Sequence, residues 1–110
     1  MLANFYPELT LSDEGRTVEV AGPLNWEQIP PHIQAVTVLA VVAQNGVEGR
    51  CTSREYRRRD GEREWWSEVR VQSNGAFVPG TAPCAGAIHA TDPRGAPPWL
   101  WSGDPELIDP

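Results

Sequence analysis

Lysine is absent from this 110-residue sequence, and all nine basic residues are arginine. We interpret this as the bias of a high-GC coding sequence rather than as selection for the bidentate contacts that arginine makes. Fifteen aspartate and glutamate residues bring the net charge to −6. Because an acidic protein repels polyanions, we expect neither nucleic acid nor an anionic membrane surface as a partner.

Long apolar runs are also missing from the chain. The longest, residues 35–43, is interrupted by Thr37 and is far shorter than the ~20 residues that span a membrane. Residues 1–7 lack the basic start and the apolar core of a secretory signal peptide. The sequence therefore predicts a soluble protein that is found in the cytoplasm or in a particle assembled there.

Cysteine is scarce, and Cys51 and Cys84 are the only two. Two cysteines cannot define the kind of disulfide framework that holds small secreted domains together. A bridge between them is one alternative. We favour two free buried thiols, which pack as small apolar side chains.

Motifs that carry chemistry are missing as well. No serine, cysteine or threonine lies in a nucleophile turn, and no glycine-rich loop opens a helix. The only histidines, His32 and His89, lack the short paired spacing of zinc ligands. We expect no enzymatic activity, no cofactor and no metal. The alternative, a Cys-His enzyme, would require Cys84, His89 and an acidic residue to meet in one pocket.

Turn signals are abundant, since the chain has ten glycines and eleven prolines. Three dipeptides that favour tight hairpin turns, Asn45-Gly46, Asp60-Gly61 and Asn74-Gly75, are separated by strand-like sequence. Each pair readily adopts the positive φ angles that such turns require. This spacing predicts a β-meander in the middle of the chain.

The strand before Asn45 is apolar on both faces, as is typical of a central strand. A two-residue Asn45-Gly46 loop places Ala40 opposite Cys51 in the next strand. At Asp60-Gly61 we predict a three-residue loop, residues 59–61, with Gly61 in the left-handed conformation. That loop sets Val69 opposite Cys51 and keeps the core face apolar, whereas a two-residue loop would turn Arg70 inward.

The remaining elements are short strands separated by turns. We predict a first hairpin from residues 9–11 and 16–21, a short strand over 76–78, a strand over 84–91 and a turn at 92–95. Together they indicate an all-β protein, an antiparallel β-sandwich that is immunoglobulin-like in outline, with a central three- to four-stranded meander. Residues 1–102 form the single domain. Residues 103–110 form an extended acidic tail, which we expect to dock on a neighbour by strand addition.

The second face of the central strand is the candidate partner-binding surface. Leu39 and Val41 fall beside Arg50, Arg54 and Trp66 in the predicted register, a composition typical of protein interfaces. Cover by another part of the same chain is the alternative. The candidate partner-binding residues are Leu39, Val41, Arg50, Arg54, Trp66, Trp99 and Trp101.

These features favour a non-enzymatic structural or adaptor subunit that binds a protein partner or another copy of itself, for example in a phage-like or other large particle. Five tryptophans leave a second hypothesis, a small carbohydrate-binding module with exposed Trp platforms at Trp99 and Trp101 or at Trp65 and Trp66. The run Arg57-Arg58-Arg59 lies among carboxylates, so we interpret it as a solvated hairpin tip that carries charges of both signs.

Overall fold

A computed structural model describes residues 1–91 and 98–110. The described residues form strands and three short helical turns, Asp13–Gly15, Trp26–Gln28 and Arg58–Asp60. The strands are β1 (Glu8–Ser12), β2 (Thr17–Pro23), β3 (Ala35–Gln44), β4 (Val47–Thr52), β5 (Tyr56–Arg57), β6 (Glu64–Val71), β7 (Gly80–Thr81), β8 (Cys84–Ala90), β9 (Trp99–Gly103) and β10 (Glu106–Ile108). The all-β class is therefore confirmed. None of the described helical turns has the length and apolar character needed to cross a bilayer.

All ten strands belong to one sheet, in the order β7-β10-β1-β2-β6-β4-β3-β8-β9, with β5 beside β3. The sheet is mixed, because β1 and β10 run parallel while the other pairs are antiparallel. It curls into a half-barrel whose inner face holds the core. The predicted antiparallel sandwich, immunoglobulin-like in outline, is not confirmed, since the described strands do not divide into two packed sheets.

One long hairpin explains how the sheet curls. Its two halves are the pair β7–β10 and the pair β8–β9. Gly80 lies opposite Leu107 and Cys84 lies opposite Gly103, so both halves share one antiparallel register. At the bend between the halves, the Ala82 N–H still donates to the Pro105 carbonyl, at 3.0 Å. Since β8 pairs with β3 and β10 pairs with β1, this hairpin connects the two ends of the sheet order.

The C-terminal segment takes part in that hairpin. We expected residues 103–110 to extend onto a neighbouring molecule, but Glu106–Ile108 pairs with β1 and β7 of the same chain. The Leu107 side chain is fully buried. Strand addition thus occurs within the chain, because the tail offers an apolar side chain that the half-barrel can bury.

The meander β3-β4-β6 has the predicted register. Ala40 lies opposite Cys51. Gly49 lies opposite Val71, which is the register that was predicted to set Val69 opposite Cys51, although the pairing of β4 with β6 ends at Arg50 and Arg70. Asn45 and Gly46 have φ angles of 50° and 78°, as a tight two-residue turn requires. The alternating pattern was decisive, since a slip by one residue would have moved every core side chain to the opposite face.

The connection from β4 to β6 differs from the predicted three-residue loop. The backbone leaves the ladder after β4 and returns as β5, where Tyr56 pairs with Val36. Between these pairs the strand contains one more residue than β3, which is a β-bulge. The turn Arg58–Asp60 follows, and Gly61 has the predicted left-handed φ, 66°.

The third turn dipeptide, Asn74-Gly75, is not a hairpin turn. Strand β6 already pairs with β2 and β4, so no edge is free for a following strand. Residues 76–78 are accordingly not a strand, although the Phe77 N–H donates to the Gly15 carbonyl at 2.7 Å. The chain instead crosses to β7 at the far side of the sheet. The predicted turn at 92–95 lies outside the described residues.

Three aromatic rings occupy the centre of the half-barrel. Phe5 lies 5.7 Å from Trp65 and 5.6 Å from Trp101, measured between ring centroids. The Trp65 indole N–H donates to the Asn4 carbonyl at 2.9 Å, so its one polar atom is paired inside the core. These contacts hold the N-terminal segment over the open side of the sheet.

Arg58 is not part of a solvated tip. Its guanidinium donates to four main-chain carbonyls, and it lies 4.9 Å from the centre of the Trp26 ring. The acceptors are the carbonyls of Trp26, Ile29, Pro30 and Ile33. Arg57 does fit the prediction, because it forms an exposed ion pair with Glu55 at 3.0 Å. One guanidinium thus supplies donors to four carbonyls of the loop between β2 and β3.

Candidate interaction surface

The outer face of the half-barrel carries a continuous apolar strip. The register places Leu39 opposite Ala87, and Ala87 opposite Leu100, in one row across three strands. In the next row Val41 lies opposite Ala85. We call these five residues, Leu39, Val41, Ala85, Ala87 and Leu100, the outer patch.

The outer patch lies on strands without charge. None of β3, β8 and β9 contains Asp, Glu, Lys or Arg. Leu100 is 77% exposed, the largest exposure of any large hydrophobic side chain in the described part of the chain. Because the ten strands form one sheet, no second sheet among the described residues covers this face. Ala85 is also exposed, whereas Leu39, Val41 and Ala87 are half-buried. Contiguous apolar surface that is open to solvent is typical of protein interaction sites.

Charged side chains begin at the next strand. Arg50 lies opposite Val41 on one side and opposite Arg70 on the other. Each arginine forms an exposed ion pair with the glutamate two residues before it, Glu48 at 3.2 Å and Glu68 at 3.3 Å. These pairs contribute under about 1 kcal/mol each to stability. They give the outer patch the polar rim that interfaces have.

Trp66 and Arg54 lie beside that rim, where β4 and β6 separate. Trp66 is 54% exposed on the outer face. The Arg54 guanidinium stacks 4.1 Å from the centre of the Tyr56 ring and also forms an ion pair with Glu62. Tryptophan and arginine are the residue types enriched in interface hot spots.

Tyr56 is the residue that sequence reasoning missed in this region. Its hydroxyl accepts from the Trp66 N–H at 2.8 Å and donates to the Trp66 carbonyl at 3.3 Å. The hydroxyl therefore supplies the hydrogen bonds that a strand would make to the backbone of Trp66, at a point where β4 no longer pairs with β6. Only the β-bulge before Tyr56 turns this side chain toward β6, and the sequence carries no clear signal of that bulge.

The last two predicted residues lie on the other face of the sheet. Trp101 is buried against Phe5 and Trp65, and a Cβ on Gly86 would lie only 2.2 Å from its ring. Trp99 is half-buried and packs against the same core. Thus Leu39, Val41, Arg50, Arg54 and Trp66 share the outer face, whereas Trp99 and Trp101 do not join them.

The cysteines and histidines do not form a common site. Cys84 is buried on the inner face, and His89 is on the outer face of the same strand. Burial, with a smaller contribution from the Asp104 carboxylate, raises the pKa of the Cys84 thiol to about 12. Burial also raises the pKa of Cys51. Both thiols are thus held in the protonated form, which is a poor nucleophile.

Both cysteines are free; Cys84 is buried as predicted, whereas Cys51 is only half-buried. They lie on β4 and β8, on either side of β3, so their Cα atoms are about 9–10 Å apart or more. A disulfide requires a Cα separation below about 7 Å. Within residues 1–91 and 98–110, no three His, Cys, Asp or Glu side chains come together as metal ligands.

Comparison with known proteins adds no relative: no family model, no curated protein and no solved structure matches this chain.

Proposed function

We propose that this protein is a non-enzymatic structural or adaptor subunit that binds a protein partner, or another copy of itself, through the outer patch. A phage-like or other large particle, assembled in the cytoplasm, is a setting in which such a subunit would act. The observation that carries the proposal is the run of three adjacent uncharged strands whose outer side chains have no second layer above them among the described residues.

The composition of this face supports a protein partner. Apolar side chains at the centre with arginine and tryptophan at the rim match the anatomy of interfaces. Nucleic acid is a poor partner for a surface whose centre is uncharged, on a chain with a net charge of −6. On this proposal, the layer that would complete a sandwich over the outer patch comes from the partner and not from this chain.

Charge introduced at the centre of the patch tests the proposal. Leu100→Glu places a carboxylate on a side chain that is 77% exposed in the free protein, so the fold has no reason to change. We expect wild-type protein to migrate as a complex in extracts of the cells that make it. We expect Leu100→Glu to migrate as a monomer in the same gel-filtration experiment, because a buried unpaired charge opposes association.

The matched control is Gln72→Glu, which adds the same charge at an exposed position outside the patch. It should leave the complex intact. The proposal fails if wild-type protein is a monomer both in extract and in purified form over a wide concentration range. It also fails if the two variants behave alike.

The carbohydrate-binding hypothesis keeps one supporting observation, the exposed ring of Trp66. Trp65 and Trp101 are buried, so neither Trp65 with Trp66 nor Trp99 with Trp101 presents two exposed rings. A titration of tryptophan fluorescence with a glycan panel separates the two hypotheses. A saturable response that is lost in Trp66→Ala would favour sugar binding.

A further inference from the structure

A groove of about 720 Å³ opens at the end of β6 and shares only Arg70 with the polar rim of the outer patch. Its walls are the turn between β1 and β2, the last residues of β6 and the segment that follows them. Arg16, Arg70, Glu14, Ser73 and Asn74 supply its polar lining. Pockets that bind small molecules have volumes of about 300–1,000 Å³ and a few polar groups that fix the orientation of the ligand.

The two arginines have unused donors. In the described part of the chain, Arg16 has no carboxylate within ion-pair distance. Arg70 lies 3.3 Å from Glu68, and 3.7 Å from Asp13, which is beyond hydrogen-bond length. A guanidinium has five N–H donors, so most of those on this pair can bind a further anion. Arginine is the side chain that best matches the geometry of an oxyanion.

The acidic wall of the groove is held in a costly conformation. Asp13, Glu14 and Gly15 are three consecutive residues with positive φ, at 50°, 55° and 82°. Two of them are not glycine, and each such residue costs about 1–3 kcal/mol. The turn persists because the Phe77 N–H donates to the Gly15 carbonyl at 2.7 Å, and a Cβ at Gly15 would lie 2.2 Å from the Phe77 oxygen. The backbone of Glu14 is thereby held at the groove, where its carboxylate is opposite in charge to the arginines.

We propose that this groove binds a small polar molecule with one oxyanion. Arg16 and Arg70 hold the oxyanion, and the ligand oxygens replace the distant Asp13 carboxylate beside Arg70. Glu14, Ser73 and Asn74 bind hydroxyl or ammonium groups on the rest of the molecule. Because Asp13 and Glu14 are close to the arginines, a ligand with two or more separate anionic groups is repelled. The class is therefore small hydroxy acids, amino acids and monophosphates of polyols.

Amide chemical shifts measured by ¹H–¹⁵N NMR test the proposal with two probes, lactate for a carboxylate and glycerol 3-phosphate for a phosphate. Sodium chloride at equal ionic strength is the reference. We expect saturable shifts confined to residues 13–16 and 70–76 with at least one probe, and the better probe identifies the oxyanion. We expect Arg16→Gln and Arg70→Gln each to weaken binding about tenfold, the effect of losing one charge-assisted bond.

Arg63→Gln is the matched control. Arg63 is also exposed, but it precedes β6 and is about 23 Å from Arg70 along the strand, so binding should not change. Both groove arginines are exposed as well, and dispersed spectra would show that their variants fold. The proposal is overturned if neither probe gives saturable shifts beyond those of sodium chloride. It is also overturned if Arg63→Gln weakens binding as much as the groove variants do.

Discussion

Trp65→Ala is expected to lower the free energy of unfolding by about 3–5 kcal/mol, the range for removing a buried aromatic side chain. Trp65 is fully buried and packs against Phe5 and Trp101. The substitution also removes the donor to the Asn4 carbonyl, which loosens the N-terminal segment. Urea denaturation followed by circular dichroism measures the change, since a domain of this size should unfold in one transition.

The adjacent tryptophan is the control. Trp66→Ala removes the same side chain from the exposed outer face and should change the unfolding free energy by less than about 1 kcal/mol. Equal losses for the two variants would mean that the inner and outer faces of β6 have been assigned wrongly. A larger loss for Trp66→Ala would also reverse the assignment of Leu39 and Val41 to the outer face, because the register links both strands to β4.

Arg58→Ala is the second substitution with a large expected effect, a loss of about 3 kcal/mol. Hydrogen bonds from a charged donor contribute about 1.5–3 kcal/mol each, and four that share one side chain are not additive. Their loss leaves the loop of Trp26 and Ile33 without its main polar contacts. Hydrogen exchange should show the amides of residues 25–33 losing protection before those of β3.

Two further variants test whether the guanidinium hydrogen bonds cause this loss of stability. Arg57→Ala removes an exposed ion pair with Glu55 and should cost less than about 1 kcal/mol. Arg58→Lys keeps the charge, but an ammonium has three donors on one nitrogen and cannot reach all four carbonyls. We expect its stability to lie between those of wild type and Arg58→Ala. Full stability in Arg58→Lys would contradict the role of the planar guanidinium.

The meander could be predicted from sequence because two independent signals agree there. Asn45-Gly46 fixes the turn length, and the alternation around Val69 fixes which face is apolar. The same signals placed Leu39, Val41, Arg50 and Trp66 on one face. For that part of the candidate surface, the local sequence pattern and the tertiary structure favour the same orientation of the side chains.

Features set by distant partners could not be predicted. Asn74-Gly75 has the composition of a hairpin turn, but both edges of β6 are occupied by strands that come earlier in the chain. Arg58 is surrounded in sequence by charged residues, yet its acceptors belong to a loop about 30 residues away. The burial of Trp101 could not be predicted, because its spacing from Trp99 places both side chains on one face of the strand but does not say which face is buried.

Photo-crosslinking from the outer patch tests the central claim, that this patch binds a protein. A benzophenone amino acid at position 100, in the cells that make the protein, should yield one or a few discrete adducts, with either a second copy or a partner. The same group at position 27, exposed on the turn Trp26–Gln28, should yield none. No adduct at position 100, or the same adducts at both positions, would contradict the claim.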